Sequence, residues 1–260
     1  MPGIRLPLLE ASSNACCRPS ANVHAAPRNP QSSAPSDTQN ERKVYAVAMK
    51  FFHRLAVAGL VAAGTSAAFA AKKPPAPLSV PARTLVQWVT ATRDNGSVPF
   101  AVIDKRQARI WVFDDKGRLK DTAPVLLGYA RGDDTVPGIG DKPLKDVKPS
   151  EKTTPAGRFV TEPGRNLNNE DIFWVDYDAA VSMHRVRATN PKERRLQRLA
   201  SPTPADNRIS FGCINVPAAF YDRVVNPAFS RARGIVYLLP EVKSLGAVFK
   251  PLAERAAAAG

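Results

Sequence analysis

The chain has 260 residues, 44% of them apolar, and a formal net charge of +14 with a pI near 10.0. Such a charge raises the question of a nucleic-acid partner. The lysines and arginines are scattered, and neither a zinc-finger nor an RNP-type pattern is present, so no nucleic-acid partner is expected.

The N-terminal part of the chain divides at Met49. Residues 1–48 are rich in Pro, Ser, Ala and Asn without a sustained period, which predicts a disordered or mis-assigned extension. From Met49 a short basic start leads into a weakly apolar run that ends in the small residues Ala68 and Ala70. This is the pattern of a signal peptide over residues 49–70. We therefore expect Met49 to be the true start and the protein to be exported to the periplasm, with an uncleaved membrane anchor as the alternative.

Cleavage after Ala70 would change the inventory of reactive side chains. Cys213 and His184 would be the only cysteine and histidine in residues 71–260, which keep 30 Lys and Arg against 20 Asp and Glu. A single cysteine left in an exported protein cannot form an intramolecular disulfide and is a candidate reactive thiol. One cysteine and one histidine cannot build a Cys/His metal cluster, so neither a metal nor a cofactor is expected.

Most of the mature chain has the pattern of strands. Residues 71–97 are predicted to be a proline-rich linker and a short helix over 83–93. Short runs rich in Val, Ile, Phe and Trp then predict strands at 99–104, 107–114, 124–129, 158–161, 171–178, 179–186 and 235–239. A helix is predicted over 217–225, and residues 241–260 are expected to form a loosely held tail. Many short strands with few helices predict a mainly β fold, a sandwich or a barrel.

A cysteine directly follows a glycine in the segment Arg208–Pro217 (RISFGCINVP). The glycine permits a tight turn, and a cysteine just ahead of a helix N-terminus gains thiolate character. Alone, Cys213 is best interpreted as a buried thiol and His184 as a structural histidine. Together, as the only such pair in the mature chain, they indicate nucleophilic catalysis in which the imidazole takes the proton of the thiol.

The arrangement resembles the L,D-transpeptidase catalytic domain (YkuD-like) family, cysteine enzymes of bacterial cell-wall cross-linking. His184 at a strand end and Ser210–Asn215 (SFGCIN) match the family's histidine and its Ser-His-Gly-Cys segment. Thr153–Phe159 (TTPAGRF) is similar to the family's Thr-Pro-x-Gly-x-Phe segment, and 108–128 is similar to its opening hairpin. The resemblance covers residues 98–240 and implies a β-sandwich of the L,D-transpeptidase catalytic type with a few short helices.

The resemblance also implies a role for each matching residue. Cys213 would be the nucleophile and His184 its base. The oxyanion hole and the shape of the site would come from Gly212, Ser210 and Phe211. Substrate-binding residues would be Asn215, Arg185, Arg194 and Arg195.

Two residues depart from the family's pattern. Phe211 replaces the histidine of the Ser-His-Gly-Cys segment, and Arg185 stands where the family has Gly or Ser. The basic segment 190–199 is expected to form a short helix with Leu196 and Leu199 facing the body. It is either a lid that presents arginines to the carboxylates of wall peptides or a solvated charged face.

The resemblance implies acyl transfer on peptidoglycan stem peptides, and with it a role in cell-wall organisation and cell shape. A monomer that contacts the membrane only through its signal peptide or anchor is expected. Two alternatives remain open: a murein hydrolase, peptidase or amidase, on the same fold, and a catalytically silent wall-binding protein. The sequence leaves the acceptor open among a wall peptide, a lipoprotein, a D-amino acid and water.

Overall fold

Two β-sheets pack face to face in the computed structural model, which describes residues 75–231 and 233–258. The signal peptide predicted over 49–70, the segment before it and the first residues of the linker lie outside the described residues. The strands are β1 Phe100–Asp104, β2 Arg109–Phe113, β3 Leu119–Pro124, β4 Leu127–Gly128, β5 Gly157–Val160, β6 Glu162–Arg165, β7 Asp171–Asp176, β8 Val181–Arg185, β9 Arg208–Ser210, β10 Ile214–Val216 and β11 Ile235–Leu239. The helices are α1 Val80–Thr92, α2 Arg195–Ala200, α3 Ala218–Phe220, α4 Asn226–Phe229, α5 Leu245–Val248 and α6 Lys250–Ala258; a π-helical turn, Tyr221–Val225, joins α3 to α4.

The five-stranded sheet combines strands from the start, the middle and the end of the described chain, whereas the four-stranded sheet takes strands from the middle alone. One sheet has the order β3-β2-β1-β11-β5, and the other has the order β10-β8-β7-β6. A short parallel pair, β4 and β9, lies apart from both. Within the sheets, β1 runs parallel to β11 and β8 runs parallel to β10, while the other pairings are antiparallel.

The main hydrophobic core lies between the two sheets. Ile103 of β1 and Val236 of β11 face it from one sheet, and Phe173 of β7 and Met183 of β8 face it from the other. All four side chains are buried. Burial of apolar area of this kind supplies most of the favourable free energy of folding. The predicted mainly β fold, a sandwich with short helices, is confirmed.

A second hydrophobic cluster covers the outer face of the five-stranded sheet. Helix α1 begins at the cap residue Ser79 and packs Leu85 and Val89 into this cluster. Phe249 packs there too, with its ring centroid 6.3 Å from that of Tyr237. The expectation of a loosely held C-terminal tail is therefore wrong for the described part of that segment, because a buried aromatic ring anchors it.

The sequence pattern misplaces one strand and does not predict three others, β6, β9 and β10. The return strand predicted over 124–129 starts earlier, as β3, because the Asp114 carboxylate accepts hydrogen bonds from the N–H groups of Lys116 and Arg118 and closes the hairpin tightly. The missed strand β6, with the sequence EPGR, has little apolar content. It pairs with β7, whose apolar residues gave the recognisable pattern.

A buried group of four charges joins the loops at one end of the five-stranded sheet. Lys105 donates a hydrogen bond of 2.9 Å to Asp133, and Arg208 donates to both carboxylate oxygens of Glu241. The four side chains are at most 9% exposed. Breaking one buried pair costs about 3–5 kcal/mol, because the remaining charge is left without compensation.

Asp133 also fixes the turn that follows β11. Its carboxylate accepts hydrogen bonds from the backbone N–H groups of Glu241, Val242 and Lys243. Burial alone would raise the pKa of Asp133. The hydrogen bonds from Lys105 and from the three backbone groups outweigh burial and hold the pKa at about 2. The ionised carboxylate is therefore part of the fold.

This pKa predicts acid sensitivity. Because it is lowered from the ordinary 3.8 to about 2, ionised Asp133 contributes about 2 kcal/mol above pH 4, and this contribution is lost as the pH falls towards 2. Asp133→Asn should lower the free energy of unfolding at pH 7 and flatten its slope in that window, as measured by urea denaturation. Asp134→Asn, at a side chain that is 72% exposed, is the control. Wild-type stability of Asp133→Asn at pH 7 would contradict this role.

Candidate active site

Strands β8 and β10 bring the predicted histidine and the cysteine segment side by side. In their parallel register Met183 lies opposite Ile214, and His184 lies opposite Asn215. Met183 and Ile214 are buried in the core between the sheets. Because side chains alternate along a strand, His184 and Asn215 point to the opposite face. That face is polar, and the candidate site lies on it.

Cys213, directly before β10, lies beside Ser182. Its Sγ is 3.4 Å from the backbone nitrogen and 3.6 Å from the hydroxyl oxygen of Ser182, and 3.6 Å from the carbonyl oxygen of Ala180. Cys213 and Ser182 are both buried. A backbone N–H directed at sulfur stabilises the negative charge of a thiolate. The sequence reasoning missed Ser182; its position two residues before His184, on the same face of a strand, was the signal that could have found it.

The Cys213 sulfur is disulfide-bonded in this structure. A nucleophilic role requires the thiolate, so this bond must be reduced before the sulfur can attack.

His184 is held in one tautomer. Its Nδ1 lies 2.8 Å from the carbonyl oxygen of Arg185, which can only accept, so Nδ1 carries the proton and Nε2 keeps a lone pair. Burial lowers the pKa of His184 to about 4, and the positive charges of Arg195 and Arg187 lower it as well. The hydrogen bond to the Arg185 carbonyl raises the pKa but does not outweigh them. The imidazole is therefore neutral at pH 7 and able to accept a proton.

The structure places the predicted nucleophile and base on one face, but not directly opposite each other. Ser182 is the residue in contact with Cys213. Side chains on the same face of a strand recur about every 6–7 Å, so His184 lies one such step further along β8, opposite Asn215. Ser182 thus neighbours Cys213 across the strand pair and His184 along β8.

Gly212 makes the turn that presents the cysteine. Its φ of +137° is one that L side chains rarely adopt, and a Cβ at this position would lie 2.9 Å from the carbonyl oxygen of Thr153. Thr154 fixes the same turn, because its hydroxyl donates to the Gly212 carbonyl at 2.7 Å and accepts from the Gly128 N–H at 2.8 Å. The Thr-Pro segment picked out in the sequence therefore lies against the Gly-Cys turn.

The hydroxyl of Ser210 bridges two backbone groups of the turn at Gly212 and Cys213. It accepts a hydrogen bond of 3.1 Å from the Gly212 N–H and donates one of 2.7 Å to the Cys213 carbonyl. Ser210 therefore holds the backbone of this turn, and its role in shaping a catalytic site stays a prediction. The Gly212 N–H, however, is engaged within the turn, so in this conformation it does not serve the predicted oxyanion hole.

Two of the predicted substrate-binding residues are bonded to each other. Arg195 donates a hydrogen bond of 2.8 Å to the side-chain carbonyl of Asn215, and its guanidinium also pairs with Glu193. Asn215 donates to the Cys213 carbonyl at 3.2 Å. Since Arg195 and Asn215 are both buried, they form a wall beside the cysteine.

The other two predicted substrate-binding residues differ in exposure. The Arg185 guanidinium is bound by the carboxylates of Asp171 and Asp222 and lies 4.2 Å above the ring of Tyr221. Arg194 is exposed. It lines a cavity of about 310 Å³, whose other lining residues are Gln197, Arg198, Ser201 and Asp206.

The basic segment forms a shorter helix than expected. Helix α2 begins at Arg195, after a 3₁₀ turn over Pro191–Glu193. Leu199 is buried, as expected, but Leu196 is 56% exposed, so the expectation that it faces the body is wrong. Arg195, four positions before Leu199 and on the same helix face, takes the inward position that Leu196 was expected to fill.

Phe211 occupies the position of the family's second histidine. Its ring is partly buried, and the Lys152 ammonium lies 3.8 Å from the ring centroid. Burial lowers the pKa of Lys152, partly offset by the charge of Glu193. A cation over an aromatic face is a favourable contact, so Phe211 contributes a packed aromatic wall in place of an imidazole.

No family model and no curated protein matches the chain. It is similar to the solved L,D-transpeptidase of Xylanimonas cellulosilytica (13% identity, TM-score 0.33, 54% of this chain and 60% of that one). It is also similar to the helical cell shape determining protein Pgp2 of Campylobacter jejuni (13% identity, TM-score 0.36, 62% of this chain and 57% of that one).

A further likeness is to the catalytic domain of the E. faecium L,D-transpeptidase, at 17% identity and a TM-score of 0.31, over 55% of this chain and 98% of that one. The chain spans less than two thirds of the length of the first two structures. At these TM-scores the structural likeness carries no argument about function, which must be argued from the sequence motifs and the site geometry of this chain. Within the described ranges, no helix is long and apolar enough to cross a membrane.

The pKa of His184 predicts a pH-dependent stability. Because the folded-state pKa is about 4 and the ordinary value is 6.5, the unfolded chain takes up a proton below pH 6.5 that the folded chain does not. Stability should therefore fall by about 3 kcal/mol between pH 6.5 and 4. Urea denaturation should show this slope in the wild type and a much flatter one in His184→Gln. Equal slopes would show that the imidazole is not buried in its neutral form.

Proposed function

We propose that this protein is an exported cysteine acyltransferase of the L,D-transpeptidase type that acts on peptidoglycan stem peptides in the periplasm. One observation carries the proposal: Cys213, Ser182 and His184 lie on the polar face of two adjacent parallel strands, with a strained glycine turn presenting the sulfur. The chain order of hairpin, Thr-Pro segment, histidine and Gly-Cys supports the same assignment.

In the first step the Cys213 thiolate attacks the carbonyl carbon between the third residue of a donor stem peptide and its D-alanine. The C–N bond breaks, a thioester forms, and D-alanine leaves with a proton on its amine. In the second step an acceptor amine attacks the thioester carbonyl. The C–S bond breaks, a new amide forms, and the thiol is regenerated. Water in place of the amine would give hydrolysis at the same site.

His184 and Ser182 both contribute to deprotonating the Cys213 thiol. His184 offers a neutral Nε2 that accepts the thiol proton, and the carbonyl of Arg185 fixes its tautomer. The N–H of Ser182 points at the sulfur and stabilises the thiolate. A pKa of about 4 makes His184 a weak base at pH 7, so thiolate stabilisation by Ser182 carries a substantial share of nucleophile activation.

Among the predicted substrate-binding residues, Arg194 is exposed and lines a cavity, and we propose that it binds a carboxylate of the stem peptide. Arg195, Asn215 and Arg185 act through their mutual and acidic contacts, which hold the walls of the site. These four roles belong to the proposed acyl transfer and stand or fall with the activity assay for it.

The assay is incubation of the reduced full chain with muropeptides that carry tetrapeptide stems, followed by mass spectrometry. Cross-linked dimers and free D-alanine are expected, and Cys213→Ala should abolish both. The control is Arg118→Gln, at an exposed hairpin residue, which should keep full activity. Product formation by Cys213→Ala would refute the thioester mechanism, and tripeptides without dimers would identify a hydrolase.

The hydroxyl of Ser182 provides a second test. Ser182→Ala keeps the backbone N–H but removes the oxygen 3.6 Å from the sulfur. We expect kcat to fall about tenfold with KM nearly unchanged, and the pH-rate profile to shift to higher pH, because the thiolate loses one stabilising contact. Ser182→Thr, which restores a hydroxyl, should recover part of the rate. An unchanged pH profile in Ser182→Ala would contradict this role.

A catalytically silent wall-binding protein is the second candidate, favoured by the weak basicity of His184 and by Phe211 in place of a histidine. It predicts binding of stem peptides without turnover. A carbapenem separates the two candidates: an adduct on Cys213 supports the enzyme, and binding of stem peptides with neither adduct nor product supports the silent protein.

A further inference from the structure

A cavity of about 320 Å³ opens at the end of the five-stranded sheet where β1 and β11 finish. It is named here the Arg131 cavity, and it is lined by Lys105, Arg106, Arg131, Pro204, Arg208 and Glu241. Of these lining residues, four are cationic and one is anionic. None of them carries a role in the proposed acyl transfer.

The floor of the Arg131 cavity is rigid and close to neutral. Lys105 and Arg208 are buried, and their charges are balanced by Asp133 and Glu241. Both oxygens of Glu241 accept hydrogen bonds from Arg208, and one of them also accepts a bond of 3.1 Å from the Gly132 N–H. The single lining carboxylate is therefore saturated by protein donors.

The rim supplies the excess positive charge. Arg106 is exposed, and its guanidinium donates two hydrogen bonds, of 3.2 and 2.8 Å, to the backbone carbonyl of Glu241, which fix its position without neutralising its charge. The nearby Asp104 carboxylate accepts from the N–H groups of Arg106 and Gln107 and so caps its own turn. Arg131 is exposed on the facing loop.

We propose that the Arg131 cavity binds a phosphate group. Two guanidinium groups at the rim of a preorganised floor, one of them fixed by hydrogen bonds, suit a doubly charged anion with several acceptor oxygens, because each guanidinium presents paired N–H donors to it. A singly charged carboxylate would use only part of this donor set. The site is independent of the thiol chemistry, so its occupancy does not require Cys213.

Isothermal titration of the full chain with inorganic phosphate tests the proposal, with acetate at matched ionic strength as the comparison anion. Phosphate should bind measurably and more tightly than acetate. The double variant Arg106→Gln/Arg131→Gln should weaken phosphate binding at least about tenfold. Arg118→Gln removes an exposed arginine at the opposite end of the β1–β2–β3 hairpins, so it should bind phosphate like the wild type.

Several results would overturn the site: no heat of binding with phosphate, equal affinity for acetate, or wild-type affinity in the double variant. Circular dichroism checks that the double variant is folded, and Arg131→Gln alone, at an exposed loop residue, repeats the test with the smallest change. Cys213→Ala should bind phosphate normally. That outcome, together with an inactive wild type, would refute the acyl transfer while leaving the phosphate site supported.

Discussion

The arrangement of the loops at the end of β1 depends on the buried ammonium group of Lys105. A lysine without exposure is tolerated only when its charge and its three donors are satisfied. Here Asp133 and the carbonyl oxygens of Gly132 and Thr154 satisfy them. Each acceptor lies on a different part of the chain from Lys105, so satisfying one charge brings two loops to the end of β1.

The candidate site is connected to that charge through Thr154. The backbone of this residue accepts from Lys105, and its hydroxyl binds the carbonyl of Gly212. The turn at Gly212 and Cys213 is thus fixed by the hydrogen bonds of Thr154 and by the pairing of β8 with β10. Cys213 is therefore held by rigid elements, which the proposed acyl transfer would require.

The sequence predicted the parts of the fold that carry regular apolar patterns. The strands around Trp111, Trp174 and Tyr237 were recognisable because β-branched and aromatic residues cluster there. Strand β6 and the packing of Phe249 could not be recognised in this way. Each depends on contacts with another element, β7 for the strand and the second hydrophobic cluster for Phe249. Local composition does not contain that information.

The same division applies to the site. The turn glycine and the cysteine could be recognised locally, and the sequence placed His184 on the correct strand. That Ser182 lies beside Cys213 depends on the register of two strands, and that Arg195 is buried depends on the packing of α2, to which it belongs. The sequence alone could not specify either, because both arise from tertiary packing.

The parallel pairing of β8 with β10 also has a consequence for the order of folding. Parallel neighbours need a crossover, and here the whole segment between Arg185 and Ile214 must close before the pair can form. The grouping of Cys213, Ser182 and His184 therefore does not exist in any partly folded chain that lacks this closure. It depends on contacts between residues about thirty positions apart, which cost more loop-closure entropy than local contacts do.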